Sequence, residues 1–590
     1  MRLGKIALFL GASLVIASQT GGIATTSAQA SRHYFAVKNA VTRTLNVYNW
    51  EDYILTNEEE EYVDENGETQ TRILPGLVEQ FQDYCLNEYG ENVKVNYSAF
   101  DTNENMLAEL KTGKGNYDLI CPSDYVIQKM IADDMIVPYD EGSTPNYDKY
   151  VSPFVLDKIS SIEVNGEQGI VADYARGYMW GTLGILYNDG FSTVKERGIT
   201  PLDMQEDMTD WLSLWDDKYR NLLAIKDSMR DTYAVGIMKT YNDEFTALRD
   251  QYDNGEISAD DYNAKISDIF NRCDDDTLLA VEEDLKELKA NAYGFEVDSG
   301  KSDMAKGSMF AINVAWSGDA AWAMDMADEH NEESADDPNF TPTILKFALP
   351  KKGANIWFDG WVMPKSVLTN GNKDLAERFV DFLSMPENAA QNMEYIGYTP
   401  VIAGVDILKL VQSWYDCRYN EETEEIDSSY LEGMTEVSAD EISTIPDDEK
   451  ENYYYTKDIS YFFSGTLPED MGDEDAVFYL TADMKDRQFD TQYPDITILP
   501  TLAVMRDFGP QNASVLIMWE GVKNTILPLW AYIFILVVVI LLIAFLIGYK
   551  IHRRKVLAER RARRKQRQDR SLYSDMLYKY LTYQLLSPSK

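Results

Sequence analysis

The chain has 590 residues, and its 99 acidic against 54 basic side chains set a formal net charge of −45, a surface that repels nucleic acid and enriches cations. Its three histidines, His33, His330 and His552, fall in the N-terminal segment, an acidic loop and the C-terminal tail, which excludes His-dependent hydrolysis in a shared core site. Cys85, Cys121, Cys273 and Cys417 have no CxxC spacing or His partners, and no P-loop or dinucleotide fingerprint occurs, so no zinc site, catalytic residue or cofactor is expected; a disulfide stays open.

In chain order, Arg2 and Lys5 precede the apolar run Ile6–Ile16, and Ala28-Gln29-Ala30 presents small residues for cleavage after Ala30. Residues 1–30 read as an export signal, with an uncleaved anchor as the rival reading. No cysteine follows in a lipoprotein context. The β-like run Leu45–Tyr53 ends in Trp50 and Tyr53 beside Glu51 and Asp52, aromatic faces and carboxylates of the kind that clasp an organic cation. Thr56–Thr71 is an acidic, turn-rich insertion. Up to Tyr139, short runs such as Val93–Tyr97 and Tyr117–Ile120 alternate with the helical stretches Glu104–Thr112 and Tyr125–Asp133, the pattern of an α/β lobe with a largely parallel sheet. A second such pattern begins near Tyr174, continues through Gly181–Tyr187 and returns at Met309–Trp316, so two α/β lobes are expected.

Glu244–Asp276 reads as an inserted helical hairpin. Asp250, Asn254, Gly255, Ile257 and Asp261 partly fit a calcium loop, but Tyr252 takes a position that needs an oxygen ligand, which favours a plain helix–turn–helix. Roughly 404–482 is acidic, Tyr-rich and loop-prone, a third insertion. From Ile526 to Ile547 the chain is nearly continuous Leu, Ile, Val and Phe, with Trp530, Tyr532 and Tyr549 at interfacial positions and Pro528 in the first turn. It reads as a transmembrane helix. Between 550 and 570 stand eleven basic and two acidic residues, which place the tail 548–590 in the cytoplasm by the positive-inside rule. Contact with lipid headgroups is the expected role of that run, ahead of nucleic-acid binding.

Five clusters carry the binding reading: Trp50/Tyr53; Pro122-Ser123-Asp124-Tyr125; Asp227-Ser228-Met229-Arg230-Asp231; Trp316-Ser317-Gly318-Asp319; and Trp357-Phe358-Asp359, each expected at the end of a strand, where α/β sheets bind ligands. Core packing is the ordinary fate of a single Trp, so their joint arrangement carries the argument. Tyr48-Asn49-Trp50 with Tyr53, Tyr117–Ser123 with Tyr125 and Lys129-Met130, Trp180–Gly184, Trp316-Ser317-Gly318, Met385–Ala390 and Tyr395–Pro400 stand in the order seen in the bacterial spermidine/putrescine-binding proteins of ABC importers. The chain resembles that family over about 45–400, with a weaker echo at Tyr493-Pro494-Asp495 and Arg506–Gly509.

The resemblance implies a bilobed, periplasmic-binding-protein-like α/β fold with a hinge, built from 45–172 with 357–400 and from 173–356 with 401–523, followed by the C-terminal transmembrane helix. It implies a polyamine in the cleft, its methylenes between Trp50, Tyr53, Tyr125, Trp316 and Trp357. Ser123 would bond a terminal amine, Asp359 would be the principal carboxylate and Asp231 a second acid. Where some members carry a further acid this chain has Ser228, with Asp227 displaced by one, which puts ligand length in question. A polar contact of the family would fall near Arg506, a cation that would repel the ligand, and is not carried over.

The expected function is thus the membrane-anchored, extracellular or periplasmic substrate-binding subunit of a polyamine importer. Its partners would be an ABC permease and ATPase subunits; it would perform no chemistry and bind no nucleic acid. A receptor ectodomain signalling through the helix is the alternative, although the tail 548–590 is too short for an enzyme domain. A carboxylate-dependent surface hydrolase ranks third.

Overall fold

A computed structural model describes residues 42–585 except 64–68, 114, 297–298, 338–339, 440, 447 and 525–528. The export segment 1–30 and the start of the apolar run, 526–528, lie outside the described residues.

Twelve strands form one sheet. They are β1 (Arg43–Trp50), β2 (Val93–Phe100), β3 (Leu119–Ile120), β4 (Ile136–Val137), β5 (Ala175–Tyr187), β6 (Leu223–Lys226), β7 (Gly294–Glu296), β8 (Ile312–Trp316), β9 (Lys346–Ala348), β10 (Ala354–Pro364), β11 (Thr399–Pro400) and β12 (Leu502–Val504). The order runs β7-β6-β8-β5-β10-β3-β1-β2; β9 and β11 also pair with β5, and β4 and β12 with β10. At one end β1 lies parallel to β2 and β3, and at the other β6 lies parallel to β7 and β8, each through helical crossovers.

Two long strands join these halves. Every residue of β5 and of β10 is buried, the signature of strands covered on both faces. They pair antiparallel from Ile356↔Thr182 to Val362↔Ala175, with a register shift between Asp359 and Gly360. Beyond that shared stretch β5 turns to β8 and β9, while β10 reaches β3 and β4. Both halves therefore meet at the middle of these two strands.

The insertions take definite shapes. Thr56–Thr71 contributes to a hairpin of Glu58–Val63 against Thr69–Leu74. Glu244–Asp276 holds the helices Asn242–Asp253 and Ala259–Phe270, and Ser258 caps the second by accepting from the Asp261 amide at 3.1 Å. Of the acids that resemble a calcium loop, Asp261 is thus a first-turn residue of a capped helix, and Asp250 belongs to the preceding helix. The segment 404–482 departs from its loop-prone reading: it forms helix Val405–Tyr415 and a three-stranded sheet of Thr435–Glu436, Tyr453–Asp458 and Val477–Thr481. Its aromatics are the reason, since Tyr455, Phe462, Phe463 and Phe478 are buried together with Phe489 and Tyr493. All four cysteines are free thiols.

Residues 523–590 form a separate unit. Its helix, Leu529–Leu585, runs without a break from the apolar stretch into the basic one, and is long and apolar enough to cross a membrane.

Candidate functional site

The site begins at the irregularity in β10. A β-bulge re-aims side chains, and here it turns Asp359 toward the segment after β3, where Ser123 and Asp359 form an isolated antiparallel bridge and Gly360 N–H donates to the Pro122 carbonyl at 3.0 Å. The Ser123 hydroxyl donates to Asp359 Oδ1 at 2.7 Å and the Tyr53 hydroxyl to Oδ2 at 2.9 Å. Burial pushes the Asp359 carboxyl up to about 6; the two hydrogen bonds oppose this and the charge of Asp231 adds to it. Trp357-Phe358-Asp359 therefore does not end a strand, as expected from the sequence, but sits mid-strand; the other four clusters do follow strand ends.

Asn103 organises this wall. At the start of helix Asn103–Lys111, its amide donates to the Ser123 hydroxyl at 3.1 Å and to the Tyr125 hydroxyl at 3.0 Å. Sequence reading missed it, and only a polar residue directly after the N-cap Thr102 hinted at a role beyond the helix.

The aromatic lining centres on Tyr398. Its ring meets Tyr53 edge-on at 5.1 Å and Trp357 at 5.9 Å, while Tyr53 also meets Tyr178 at 5.5 Å. Trp50 leans on Phe100 at 4.7 Å, and Asp52, at φ 49°, makes the left-handed step that separates Trp50 from Tyr53. Tyr53 and Trp357 belong to one buried cluster, against which Trp50, Trp316 and Tyr398 pack while staying partly exposed.

Gly181 on β5 is required for this packing: a Cβ there would lie 2.4 Å from Ser317 Oγ and 2.6 Å from Trp357 Cζ2. Gly181→Ala is expected to displace the Trp357 ring and to destabilise the fold by about 1–3 kcal/mol, read as a lower unfolding midpoint in denaturant. An unchanged midpoint would show that the ring moves freely.

The facing wall comes from β6 and β8. Ser228 caps helix Met229–Thr240, accepting from the Asp231 amide at 3.5 Å, which places Asp231 in the first helical turn. Burial raises the Asp231 carboxyl, partly offset by bonds from Ser228 and Trp316 and by the charges of Lys226 and Arg230. Its own charge acts on Asp359, Glu104 and Tyr125, so the two walls sense each other across the gap. Neither Asp359 nor Asp231 has an ion-pair partner among the described residues. Trp316 ends β8 and carries the Lys226 ammonium 4.3 Å from its ring centre.

Arg230 is buried, donating to Asn271 Oδ1 and to the Arg506 carbonyl, both at 2.7 Å, with its guanidinium 3.9 Å from the Phe508 ring. The Arg506 side chain turns to Asp268 at 3.2 Å. A cavity of about 10 Å3 against Tyr178, room for one water, is lined by other residues than these carboxylates. Among the described residues no three metal-ligating side chains converge.

The arrangement is a pair of buried, unpaired carboxylates amid aromatic rings, suited to an organic dication. Residues 76–416 match the model of the bacterial extracellular solute-binding proteins. The spermidine/putrescine-binding periplasmic protein of Salmonella typhimurium is 28% identical over 367 residues, 62% of this chain and 80% of that protein. A putrescine-binding periplasmic protein of Escherichia coli strain K12 is 24% identical over 361 residues, 61% and 78% of the two chains. Among solved structures, a putative spermidine/putrescine ABC transporter from Listeria monocytogenes aligns at TM-score 0.47 and 22% identity, covering 82% of this chain and 99% of its own.

Proposed function

Because the chain belongs to the bacterial extracellular solute-binding proteins, we propose that it captures a polyamine, such as putrescine or spermidine, and delivers it to an ABC permease. The chain is a binding protein and not an enzyme. One observation carries the ligand class: Asp359, buried and bonded by Ser123 and Tyr53, has no ion-pair partner among the described residues and senses the charge of Asp231, which has none there either. Leaving such charges uncompensated is expensive, and an ammonium supplies what is missing.

In this reading Trp50, Tyr53, Tyr125, Trp316 and Trp357 enclose the methylenes, Ser123 and Ser228 border the amines, and Asp359 and Asp231 receive them. Each cation–π contact contributes about 0.5–2 kcal/mol and each buried methylene about 0.8, so the roughly 8 kcal/mol of a micromolar complex is within reach. Residues 45–172 with 357–400 form one jaw and 173–356 with 401–523 the other, closing on ligand about β5 and β10.

The C-terminal helix anchors the receptor in this proposal, with the basic run 550–570 on the cytoplasmic side and the cleft outside. Tethering would keep the receptor near its permease; equal uptake by cells expressing only residues 1–523 would refute that part. The binding reading is tested by titrating the detergent-solubilised chain with putrescine, cadaverine, spermidine and spermine. One-to-one binding, weakened about tenfold or more by Trp316→Ala, is the expected result. No binding of any of these amines would overturn the reading.

A further inference from the structure

The wall that holds Asp359 carries a second acid, Glu104, which the binding reading leaves unused. Helix Asn103–Lys111 starts at this wall, and Asn103 bonds the hydroxyls of both Ser123 and Tyr125 with one amide. Ser123 in turn bonds Asp359. Tyr125 points its hydroxyl at Glu104 Oε1, 3.5 Å away. A single amide therefore ties two carboxylates to one wall, Asp359 on the Ser123 side and Glu104 on the Tyr125 side. Asp231 stands on the facing wall, and its charge acts on both.

Glu104 differs from the other two acids in its surroundings. Asp359 is 6% and Asp231 8% exposed, whereas the Glu104 side chain is open to solvent. The surrounding walls nonetheless take enough water from it to raise its carboxyl; its own backbone amide and the Tyr125 hydroxyl oppose this, and the charge of Asp231 adds to it. Among the described residues none of the three carboxylates has an ion-pair partner. The two cations whose charges reach Asp231 bond elsewhere, Lys226 to Glu296 and Asp319, and Arg230 to Asn271 and the Arg506 carbonyl. The cleft thus presents three acids on two walls, with aromatic rings between them, and the buried Asp231 lies within reach of both others.

We propose that Glu104 is a third carboxylate of the cleft, the partner of a third ammonium, so that the chain binds a triamine such as spermidine more tightly than a diamine. The inference rests on the polyamine reading and adds the number of charges the ligand carries. A diamine such as putrescine places its amines on Asp359 and Asp231 and leaves Glu104 to water. An added aminopropyl arm carries one more ammonium past Tyr125 to Glu104, and its three methylenes leave water on the way. An acid in a first helical turn also stabilises its own helix. That role is the same whichever amine is bound and does not alter a ratio of affinities.

The test titrates the full chain and Glu104→Gln with putrescine, with spermidine, and with spermidine acetylated on its aminopropyl nitrogen, which keeps the length and removes the third charge. The wild type is expected to bind spermidine about tenfold or more tightly than either dication, the ordinary worth of one charge-assisted hydrogen bond. Glu104→Gln is expected to lower the spermidine-to-putrescine affinity ratio by about tenfold or more and to bring spermidine close to its acetylated form, while Glu104→Asp keeps most of the preference. Equal losses for putrescine and spermidine in Glu104→Gln, the result of a residue that only holds Tyr125, overturn the assignment. An unchanged ratio does so too, as does a wild type that binds putrescine as tightly as spermidine; each of these leaves the polyamine reading standing. Failure of the wild type to bind any of the three amines removes that reading and this inference with it. If Glu104→Gln melts too low to titrate, the wild type alone decides: equal affinity for spermidine and its acetylated form overturns the third carboxylate.

Discussion

Asp359→Ala is expected to weaken putrescine binding by about 100-fold or more, the loss that follows when one partner of a buried, hydrogen-bonded charge pair is truncated. Two features make the effect large. The carboxylate is 6% exposed, so solvent does not replace it; and both its oxygens are already bonded, by Ser123 and Tyr53, so its position is set before ligand arrives. Asp359→Asn separates charge from shape. It keeps the side-chain volume and still accepts one of the two hydroxyl donors, so the fold should survive. In the absence of ligand it should melt higher at pH 7.5 than the wild type, because a buried unpaired charge has been removed. Calorimetric titration with parallel melting curves checks both effects. Wild-type affinity in Asp359→Asn would end the assignment of this residue as the principal carboxylate.

The second large effect is on pH. The Asp359 carboxyl titrates at about 6 in the folded, empty chain, against about 3.9 for an unperturbed Asp. A raised folded value means that the folded state holds the proton more tightly than the unfolded one. The contribution of Asp359 to the stability of the empty protein therefore rises as pH falls from above 6 toward 4, by an amount of about 3 kcal/mol when the whole window is crossed. Binding has the opposite sign. An ammonium needs the carboxylate, and aliphatic amines stay charged throughout this range, so affinity should be level above about pH 7. Below pH 6 it should fall about tenfold per unit. Asp231, also raised by burial, steepens that fall. Near pH 5.5 binding should release a proton, seen as a titration heat that depends on the buffer's ionisation enthalpy, and the effect should vanish in Asp359→Asn. A level affinity from pH 8 to pH 5 would contradict the whole electrostatic description of the cleft.

Trp50, Ser123, Asp231 and Trp316 were legible as candidates because each stands at or just beyond a strand end, a place that local hydrophobic runs reveal. Helix positions near 104 and 125 were legible for the same reason. Trp357 and Asp359 were identified by resemblance, yet their position in the strand was misjudged: the run Ala354–Pro364 carries no turn residue to announce the bulge, which exists because β10 must pair with β5 and meet Ser123 at once. The segment 404–482 reads as acidic, Tyr-rich and loop-prone, whereas its rings became a core once Tyr453–Asp458 paired with Val477–Thr481.

By itself the sequence determined the two α/β patterns, the long apolar C-terminal stretch with its basic flank, and the chemistry of the aromatic and acidic clusters, since all of these depend on neighbours along the chain. Only the tertiary structure decided that Asn103 holds Ser123 and Tyr125, that Tyr398 stands between Tyr53 and Trp357, and that Lys226 is held between Glu296 and Asp319. Those contacts join residues tens to hundreds of positions apart. Their existence follows from strand register and crossover geometry, which bring distant strand ends to one edge of the sheet and which no local spacing encodes.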